Sequence, residues 1–291
     1  MKILTIGNKG QLGTSIEKLM IEKSFKDVLF VDLPDFDLTQ ENNVKDCILD
    51  YKPGIIINCA AYTAVDKAEE EQEKANLVNS LGVKWIGKYS SQIKSKVIHI
   101  STDYVFEGNS NIPLSPEDQT NPQSVYGKTK LEGEQNLFAE NPNSLIIRTS
   151  WLYSPYGNNF VKTMLNLGEQ KDEINVVIDQ IGTPTYAMDL ASVIVMIAEK
   201  TQKNDTYFAP GIYHYSNEGV CSWYDFALMI FKKAGIKCIV NPILSVEYPT
   251  LAQRPKFSVL NLNLIKTQFN ITIPQWKESL EKCLKEMKII T

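Results

Sequence analysis

The chain has 291 residues, of which 22% are charged and 43% are hydrophobic, and its 30 basic and 34 acidic residues give a formal net charge of -4. This length suits one large α/β domain or a cofactor domain that carries a smaller lobe, and the composition is ordinary for a soluble globular protein. Because no basic stripe is present, nucleic acid is not expected as a partner.

The five cysteines are scattered, odd in number and without a CxxC pair. This pattern argues against a disulfide framework and against a zinc site, and favours reduced thiols in a cytoplasm. The N-terminus begins directly with an apolar strand pattern, and no apolar run approaches the ~20 residues that a membrane helix needs. The sequence therefore predicts a cytoplasmic protein without a membrane segment.

Short apolar runs alternate with helical patterns through the first half of the chain. The runs predict strands at residues 3–6, 28–31, 55–59, 97–100 and 145–147. Helices are predicted between them at residues 12–23, 41–51, 66–91 and 124–139. Fully apolar strands separated by helices indicate an α/β fold with a doubly wound parallel sheet, covered on both faces.

The second half is less regular and predicts a smaller lobe interleaved with the first. A strand is predicted at residues 175–178, a turn at 182–185, and a return to the sheet through a helix at 186–200, a strand at 212–216 and a helix at 222–234. A last helix, 273–287, has Trp276, Leu280 and Leu284 along one face. The expected division is residues 1–150 plus about 186–235 for a dinucleotide-binding domain, and about 151–185 plus 236–291 for a C-terminal substrate-binding lobe.

Three glycines follow the first predicted strand in the order Gly7-x-x-Gly10-x-x-Gly13 and lead into a helix. At such a turn the backbone can approach a pyrophosphate that lies on the helix N-terminus. The spacing is typical of extended short-chain dehydrogenases. We therefore expect Gly7, Gly10, Gln11, Leu12 and Gly13 to bind a dinucleotide in a Rossmann-type domain.

Acidic residues after the second strand bear on which cofactor is bound. Asp32 ends that strand, where a carboxylate accepts hydrogen bonds from a ribose 2′-hydroxyl and repels a 2′-phosphate. It favours NADH over NADPH, although Asp35 and Lys9 can reshape the pocket. Asp37 and Leu38 are expected either to contact adenine or to cap the next helix.

Tyr126 and Lys130 stand four residues apart in a predicted helix, and Thr102 follows a predicted strand earlier in the chain. Side chains at i and i+4 lie on one helix face, so the cation of Lys130 can favour the phenolate of Tyr126 and lower its pKa. Free tyrosine titrates near pH ~10, and a general acid works best with a pKa nearer the working pH. Together with the glycine loop, this pattern predicts a reductase.

Longer stretches of the sequence resemble one family, the dTDP-4-dehydrorhamnose reductases. The resemblance is carried by NCAAYTAVDKAE at 58–69, STDYVFEG at 101–108 and YGKTKLEGE at 126–134, and by shorter stretches at 148–153, 158–161, 179–185, 221–224 and 254–260. It therefore spans nearly the whole chain. Several of these stretches are typical of the family rather than of the short-chain dehydrogenase superfamily.

The resemblance implies a two-lobed reductase that converts the 4-keto group of dTDP-4-dehydro-L-rhamnose into the alcohol of dTDP-L-rhamnose, a donor for cell-surface polysaccharide. Hydride would pass from NADH or NADPH to C4 while Tyr126 donates a proton to the carbonyl oxygen. Lys130 would lower the pKa of the tyrosine and hydrogen-bond the nicotinamide ribose, and Thr102 would hold the substrate oxygen.

The same resemblance implies further contacts. It places Ala60, Ala61 and Tyr62 at the cofactor, Tyr104, Val105 and Trp151 at the sugar, and Arg254 at the diphosphate. A guanidinium suits the two negative charges of a diphosphate, and an ion pair between the lobes is the alternative role for the arginine. His99 and His214 lie in predicted strands and are expected to be packed strand residues rather than bases.

The sequence departs from the family pattern at two positions. Asn261 stands where the family often has Asp, which puts in doubt any contact that needs this charge. Ser15 stands where some members carry a carboxylate that can join magnesium-linked dimers. We therefore expect no metal site by that route, leave a need for magnesium open, and expect a monomer or a homodimer.

Three other functions compete with that of a reductase. A sugar-nucleotide 4,6-dehydratase would place Asp-Glu after the catalytic threonine, and this chain has Asp103-Tyr104, so dehydration is disfavoured. A reductase for another 4-keto-6-deoxysugar, such as one leading to 6-deoxytalose, differs mainly in which face of the carbonyl meets the nicotinamide, and the sequence does not distinguish the two. A regulatory subunit like that of methionine adenosyltransferase keeps the fold without turnover, and the intact Thr102, Tyr126 and Lys130 favour the enzyme.

Overall fold

The computed structural model describes residues 1–290. Its strands are β1 (Ile3–Ile6), β2 (Val28–Val31), β3 (Ile55–Asn58), β4 (Lys96–Thr102), β5 (Ser144–Thr149), β6 (Leu152–Tyr153), β7 (Glu173–Val177), β8 (Ile181–Gly182), β9 (Thr185–Tyr186), β10 (Gly211–His214), β11 (Cys221–Ser222) and β12 (Ile239–Ile243). Its helices are α1 (Gln11–Glu22), α2 (Glu41–Tyr51), α3 (Val65–Ala68), α4 (Gln72–Asn76), α5 (Gly82–Gln92), α6 (Val125–Glu140), α7 (Phe160–Gln170), α8 (Ala187–Lys203), α9 (Trp223–Ala234), α10 (Asn263–Phe269) and α11 (Trp276–Glu286).

Within residues 1–290, a parallel sheet of six strands has the order β10-β5-β4-β3-β1-β2. Strands β1, β3 and β5 are buried at every position, as expected for a sheet covered on both faces. The chain passes from β1 to β2 on one side and then to β3 on the other, so the switch point of the sheet lies between β1 and β3. Ligands bind at the carboxyl ends of the strands at such a point. The predicted doubly wound α/β fold is confirmed.

Alternating side chains of the strands pack into two separate hydrophobic cores, one on each face of the sheet. Ile3 and Ile55 pack with helices α1 and α8 on one face, and Leu4 and Ile56 pack with α2, α5 and α6 on the other. Successive side chains of a strand point to opposite faces, so one short apolar strand serves both cores. A third cluster, in the smaller lobe, is built from β7, β12, α7, α9 and α11.

Two helices pack differently from the expected division of the chain. Helix α9 was expected beside the large sheet, but it buries Phe226 and Ile230 in the core of the smaller lobe. Helix α10 was expected in the smaller lobe, but it buries Ile265 and Phe269 against the sheet. An amphipathic pattern shows that a face is buried but not which core covers it.

The predicted helix at 66–91 is interrupted in the structure. Helices α3 and α4 are followed by a π-helical turn, Leu77–Leu81, before α5 begins. This turn packs against α6, where a Cβ added to Gly133 would lie 2.0 Å from the carbonyl oxygen of Asn79. The sequence did not predict this break, because the charged residues at the start of 66–91 have the spacing of a single solvent-exposed helix face.

Every helix among residues 1–290 is too short or too polar to cross a membrane.

Candidate active site

The start of helix α6 places Tyr126 beside the end of β4. Ser124 caps the helix by accepting a hydrogen bond from the amide of Gly127 at 3.1 Å. Gly127 lets the helix approach closely, since a Cβ there would lie 2.2 Å from the carbonyl oxygen of Tyr104. The rings of Tyr104 and Tyr126 consequently meet edge to face, with centroids 5.4 Å apart.

Thr102 ends β4 and is buried beneath the tyrosines. Its hydroxyl donates to Oδ1 of Asp103 at 3.0 Å and accepts from the amide of Tyr104 at 3.2 Å. Burial raises the pKa of Asp103 to about 6. A hydroxyl has one hydrogen, so Thr102 can donate to a substrate oxygen only after it releases Asp103 or after that carboxyl becomes protonated.

Lys130 lies one turn after Tyr126 and is buried. Its amine donates to the carbonyl of Ile100 at 2.6 Å and lies 3.4 Å from Nε2 of His99. Burial lowers the pKa of Lys130 to about 8, although Glu134 and Cys59 act in the opposite direction. The amine therefore titrates close to neutral pH.

The expected effect of Lys130 on Tyr126 is not found in the structure. Burial raises the pKa of Tyr126 well above the ordinary value; the hydroxyl of Thr102 lowers it, and the neighbouring Asp103 and Tyr104 raise it further. The prediction of a lowered pKa was wrong because burial outweighs the other influences and the amine of Lys130 is directed at the carbonyl of Ile100.

The glycines of the first turn have different roles. Gly7 has φ +84°, and a Cβ there would lie 2.6 Å from the amide nitrogen of Ala60; a Cβ at Gly13 would lie 2.0 Å from the carbonyl oxygen of Gly7. Both are required by the fold itself. Gly10, with φ -77°, would bring its Cβ only to within 3.5 Å of one atom.

Helix α1 begins without a side-chain cap at Gly10, so its first amides are available to a ligand. Open space at Gly10 and free amides at a helix N-terminus fit a dinucleotide pyrophosphate. Leu12 packs into the core, whereas the side-chain oxygen of Gln11 accepts hydrogen bonds from Ser154 at 3.0 Å and Asn159 at 2.9 Å. The turn is thereby joined to the loop after β6.

The acidic residues after β2 have local partners. The carboxylate of Asp32 accepts from the amides of Lys9 at 2.9 Å and Leu33 at 2.8 Å, so it braces the glycine turn. Asp37 accepts from the amide and the hydroxyl of Thr39, at 2.9 and 2.7 Å. The side chain of Leu38 is buried against Gly82, so this residue packs in the core rather than facing a ligand.

The loop after β3 is held by polar residues that sequence reasoning missed. Asn58 accepts from the amide of Ala60 at 3.1 Å, and Asn79 binds both the amide and the carbonyl of Tyr62, at 2.8 and 3.1 Å. Ala61, between them, is half-buried. The only signals in the sequence were a polar residue at the end of an apolar strand and an asparagine inside a helical stretch.

The residues expected at the sugar are not all exposed to the cleft. Tyr104 and Trp151 are half-buried, and Trp151, with φ +47°, stacks on Trp223 with centroids 3.6 Å apart. Val105 was expected to contact the substrate, but it is fully buried in a small cluster with Phe106. Its carbonyl already accepts the amide of residue 121, so Val105 supports the turn and does not line the cleft.

Arg254 forms an ion pair between the two lobes. Its guanidinium lies 2.6 Å from the carboxylate of Asp66 and 3.4 Å from the hydroxyl of Tyr104. It also lines a cavity of about 480 Å³ together with Gln180 and Lys256. The cavity has the size of a small-molecule site and is lined by two cations, which suit phosphate groups, and by the carboxylates of Glu107 and Asp179.

Comparison with known proteins gives concordant results. A family model described as the RmlD substrate binding domain matches residues 1–289. A dTDP-4-dehydrorhamnose reductase of Aggregatibacter actinomycetemcomitans is 43% identical over 286 residues, covering 96% of this chain and 97% of that protein.

Solved structures of similar proteins share the whole fold. A dTDP-4-dehydrorhamnose reductase of Clostridium acetobutylicum has a TM-score of 0.93 at 42% identity and covers 99% of this chain and 100% of its own. One of Bacillus anthracis, in complex with NADP, has a TM-score of 0.91 at 38% identity and covers 98% of this chain and 100% of its own.

Proposed function

The chain belongs to the family of dTDP-4-dehydrorhamnose reductases, and we propose that it reduces the 4-keto group of dTDP-4-dehydro-L-rhamnose with a nicotinamide dinucleotide. The observation that carries the proposal is the meeting of Thr102, Tyr126 and Lys130 at the carboxyl end of β4, in the same parallel sheet whose first strand leads into the open turn at Gly10.

Tyr126 is the proton donor in the proposed reaction. Its raised pKa keeps the phenol protonated at neutral pH, so the proton is available when the carbonyl oxygen gains negative charge. Thr102 turns its hydroxyl from Asp103 to the same oxygen and orients it. A bound cofactor would supply the hydride for C4, and the amine of Lys130 would hydrogen-bond its nicotinamide ribose.

The dinucleotide is held at the turn 7–13 and by the loop 60–62. Asp32 supports the use of NADH, because a carboxylate disfavours a 2′-phosphate, whereas the NADP complex of the Bacillus anthracis relative supports NADPH. We propose that both are accepted. Asp32→Ala should narrow the difference in kcat/KM between NADH and NADPH, and an unchanged ratio would remove Asp32 from cofactor selection.

Arg254 and Lys256 are proposed to bind the substrate diphosphate in the cavity between the lobes. The ion pair with Asp66 does not oppose this role, because both side chains are partly exposed and the pair can be exchanged for a stronger bidentate contact. The scattered free cysteines support a cytoplasmic location, where nucleotide sugars would be accessible to the enzyme.

The test is oxidation of NADH or NADPH in the presence of enzymatically prepared dTDP-4-dehydro-L-rhamnose, with the product sugar identified by NMR. Tyr126→Phe should bind cofactor normally and lose most of the rate, whereas Tyr213→Phe, a tyrosine of the outer strand β10, serves as the matched control. A product of different configuration would assign another 4-keto-sugar reductase. Cofactor binding without turnover would favour the regulatory function.

A further inference from the structure

Two buried polar side chains beside Lys130 have no part in the proposed reaction. Asn58, at the end of β3, and His99, in the middle of β4, are 1% and 0% exposed. The amide nitrogen of Asn58 lies 3.0 Å from Nδ1 of His99, and Nε2 of the same ring lies 3.4 Å from the amine of Lys130. A continuous polar chain thus runs from the loop after β3 to the lysine.

The backbone fixes the hydrogen positions in this chain. The amide of Ala60 can only donate, so the group of Asn58 that faces it at 3.1 Å is the carbonyl oxygen. The other group, the NH₂ of Asn58, then donates to Nδ1 of His99. Burial, and secondarily the cation of Lys130, lower the pKa of His99 well below its ordinary value, so the ring is neutral and its single hydrogen lies on Nε2.

The hydrogen on Nε2 points toward the amine of Lys130. An ammonium group has three donors and no acceptor, whereas a neutral amine has a lone pair that can accept. The carbonyl of Ile100 accepts a hydrogen from the lysine in either state. The geometry around His99 therefore opposes the ammonium form.

Other charged and titratable groups face the lysine from each neighbouring element. Glu134, on the same helix, favours the ammonium, but it is already paired with Arg148 at 2.7 Å and accepts a hydrogen bond from Ser101. Cys59, beyond the end of β3, is a neutral thiol whose pKa is raised to about 12 by burial. Apart from the carbonyl of Ile100, His99 is the hydrogen-bonding contact of the amine.

We propose that Asn58 and His99 form a positioning pair for Lys130, which fixes the place of the amine against Ile100 and opposes its protonated form. This inference rests on the proposed function for its role in turnover. Lys130 then exchanges its proton within reach of the working pH instead of remaining permanently charged. Neither residue touches substrate, and both act through the lysine.

The tautomer of His99 can be measured directly, because the chain has only two histidines. In protein labelled with ¹⁵N-histidine, two-bond correlations should show Nδ1 of His99 unprotonated and Nε2 protonated, with His214→Gln used for assignment. Asn58→Asp should invert the tautomer, since a carboxylate oxygen would then accept from Nδ1. A hydrogen on Nδ1 in the unmodified chain, or no inversion in a folded Asn58→Asp variant, would overturn the inference.

The second test is the pH profile of kcat at saturating substrates. In His99→Gln the side-chain oxygen can accept from the ammonium, so the alkaline limb should move up by about one pH unit. His214→Gln removes the other buried histidine, which contacts the carbonyl of Leu114, and should leave the limb in place. An unmoved limb in His99→Gln, or equal shifts in both variants, would contradict the proposal.

The experiments distinguish a failure of the proposed reductase function from a failure of the proposed positioning pair. If the chain does not reduce the keto sugar, the tautomer of His99 and the pH dependence of NADPH binding in His99→Gln still decide the inference. If turnover is normal but the tautomer is reversed, the reductase assignment stands and the positioning pair is wrong.

Discussion

Replacement of Gly10 by alanine separates the needs of the fold from those of the cofactor. Gly7 and Gly13 cannot accept a Cβ without a clash against backbone atoms, so their substitution would damage the turn whether or not it binds a ligand. Gly10 has an ordinary φ of -77°, and its added Cβ would meet only the carbonyl oxygen of Gly7 at 3.5 Å. Within the protein, alanine fits.

The expected changes in stability and in affinity differ in size. Alanine at a compatible φ stabilises by about 0.4–1 kcal/mol, while its weaker preference for an N-cap costs a similar amount, so the free energy of unfolding should change by less than about 1 kcal/mol. The methyl group would stand where the pyrophosphate approaches the helix. Loss of one charge-assisted hydrogen bond, about 1.5–3 kcal/mol, weakens NADPH binding roughly 10- to 100-fold.

Titration calorimetry for the Kd of NADPH and urea unfolding should be carried out on the same preparations. Gly235→Ala is the matched control: it has φ +70° and no atom within 4 Å of the added Cβ, so it should lose about 1 kcal/mol of stability and keep its affinity. A Kd for Gly10→Ala within twofold of the unmodified chain would refute the assignment of this glycine to the cofactor.

Three further predictions follow from contacts outside the turn. Asp66→Asn should tighten dTDP binding by about 2- to 5-fold, because an ion pair between side chains 31% and 39% exposed competes for Arg254 with only about 0.5–1 kcal/mol; weaker binding in calorimetry would contradict this. Gly133→Ala should destabilise by about 1–3 kcal/mol in urea unfolding, because its Cβ would lie 2.0 Å from the carbonyl oxygen of Asn79. Burial lowers the pKa of His214 from 6.5 to about 3, so between these pH values the unfolded chain binds a proton that the folded chain does not. Because of this one histidine, the free energy of unfolding should fall by about 1.4 kcal/mol for each pH unit from pH 6.5 down to pH 3, with no loss above pH 6.5. In His214→Gln this part of the pH dependence should be absent from urea unfolding.

The placement of the proposed catalytic residues could be predicted because most of their geometry is local. Tyr126 and Lys130 are neighbours on any helix, and the glycine turn requires only the strand before it and the helix after it. The order of the parallel strands then brings Thr102 to the same edge of the sheet. Periodicity and fixed spacing determine the first two features, and only the position of Thr102 depends on the pairing of distant strands.

The supporting residues could not be predicted because they depend on contacts between distant parts of the chain. His99 meets Asn58 across 41 positions, and Asn79 meets Thr129 across 50. The burial of Val105 likewise depends on a cluster that includes Leu260. A polar residue in an apolar strand signals that some partner exists, but sequence spacing does not identify it.

The prediction of a lowered pKa for Tyr126 was wrong because sequence spacing does not reveal how deeply a side chain is buried. The argument from spacing assumed that the lysine cation acts on the phenol, but burial raises the pKa of Tyr126 and lowers that of Lys130. A proton donor need not be partly ionised, since an alkoxide formed at C4 is more basic than a phenolate and takes the proton readily. The proposed donor therefore stays protonated at neutral pH, which suits transfer of its proton to the substrate oxygen.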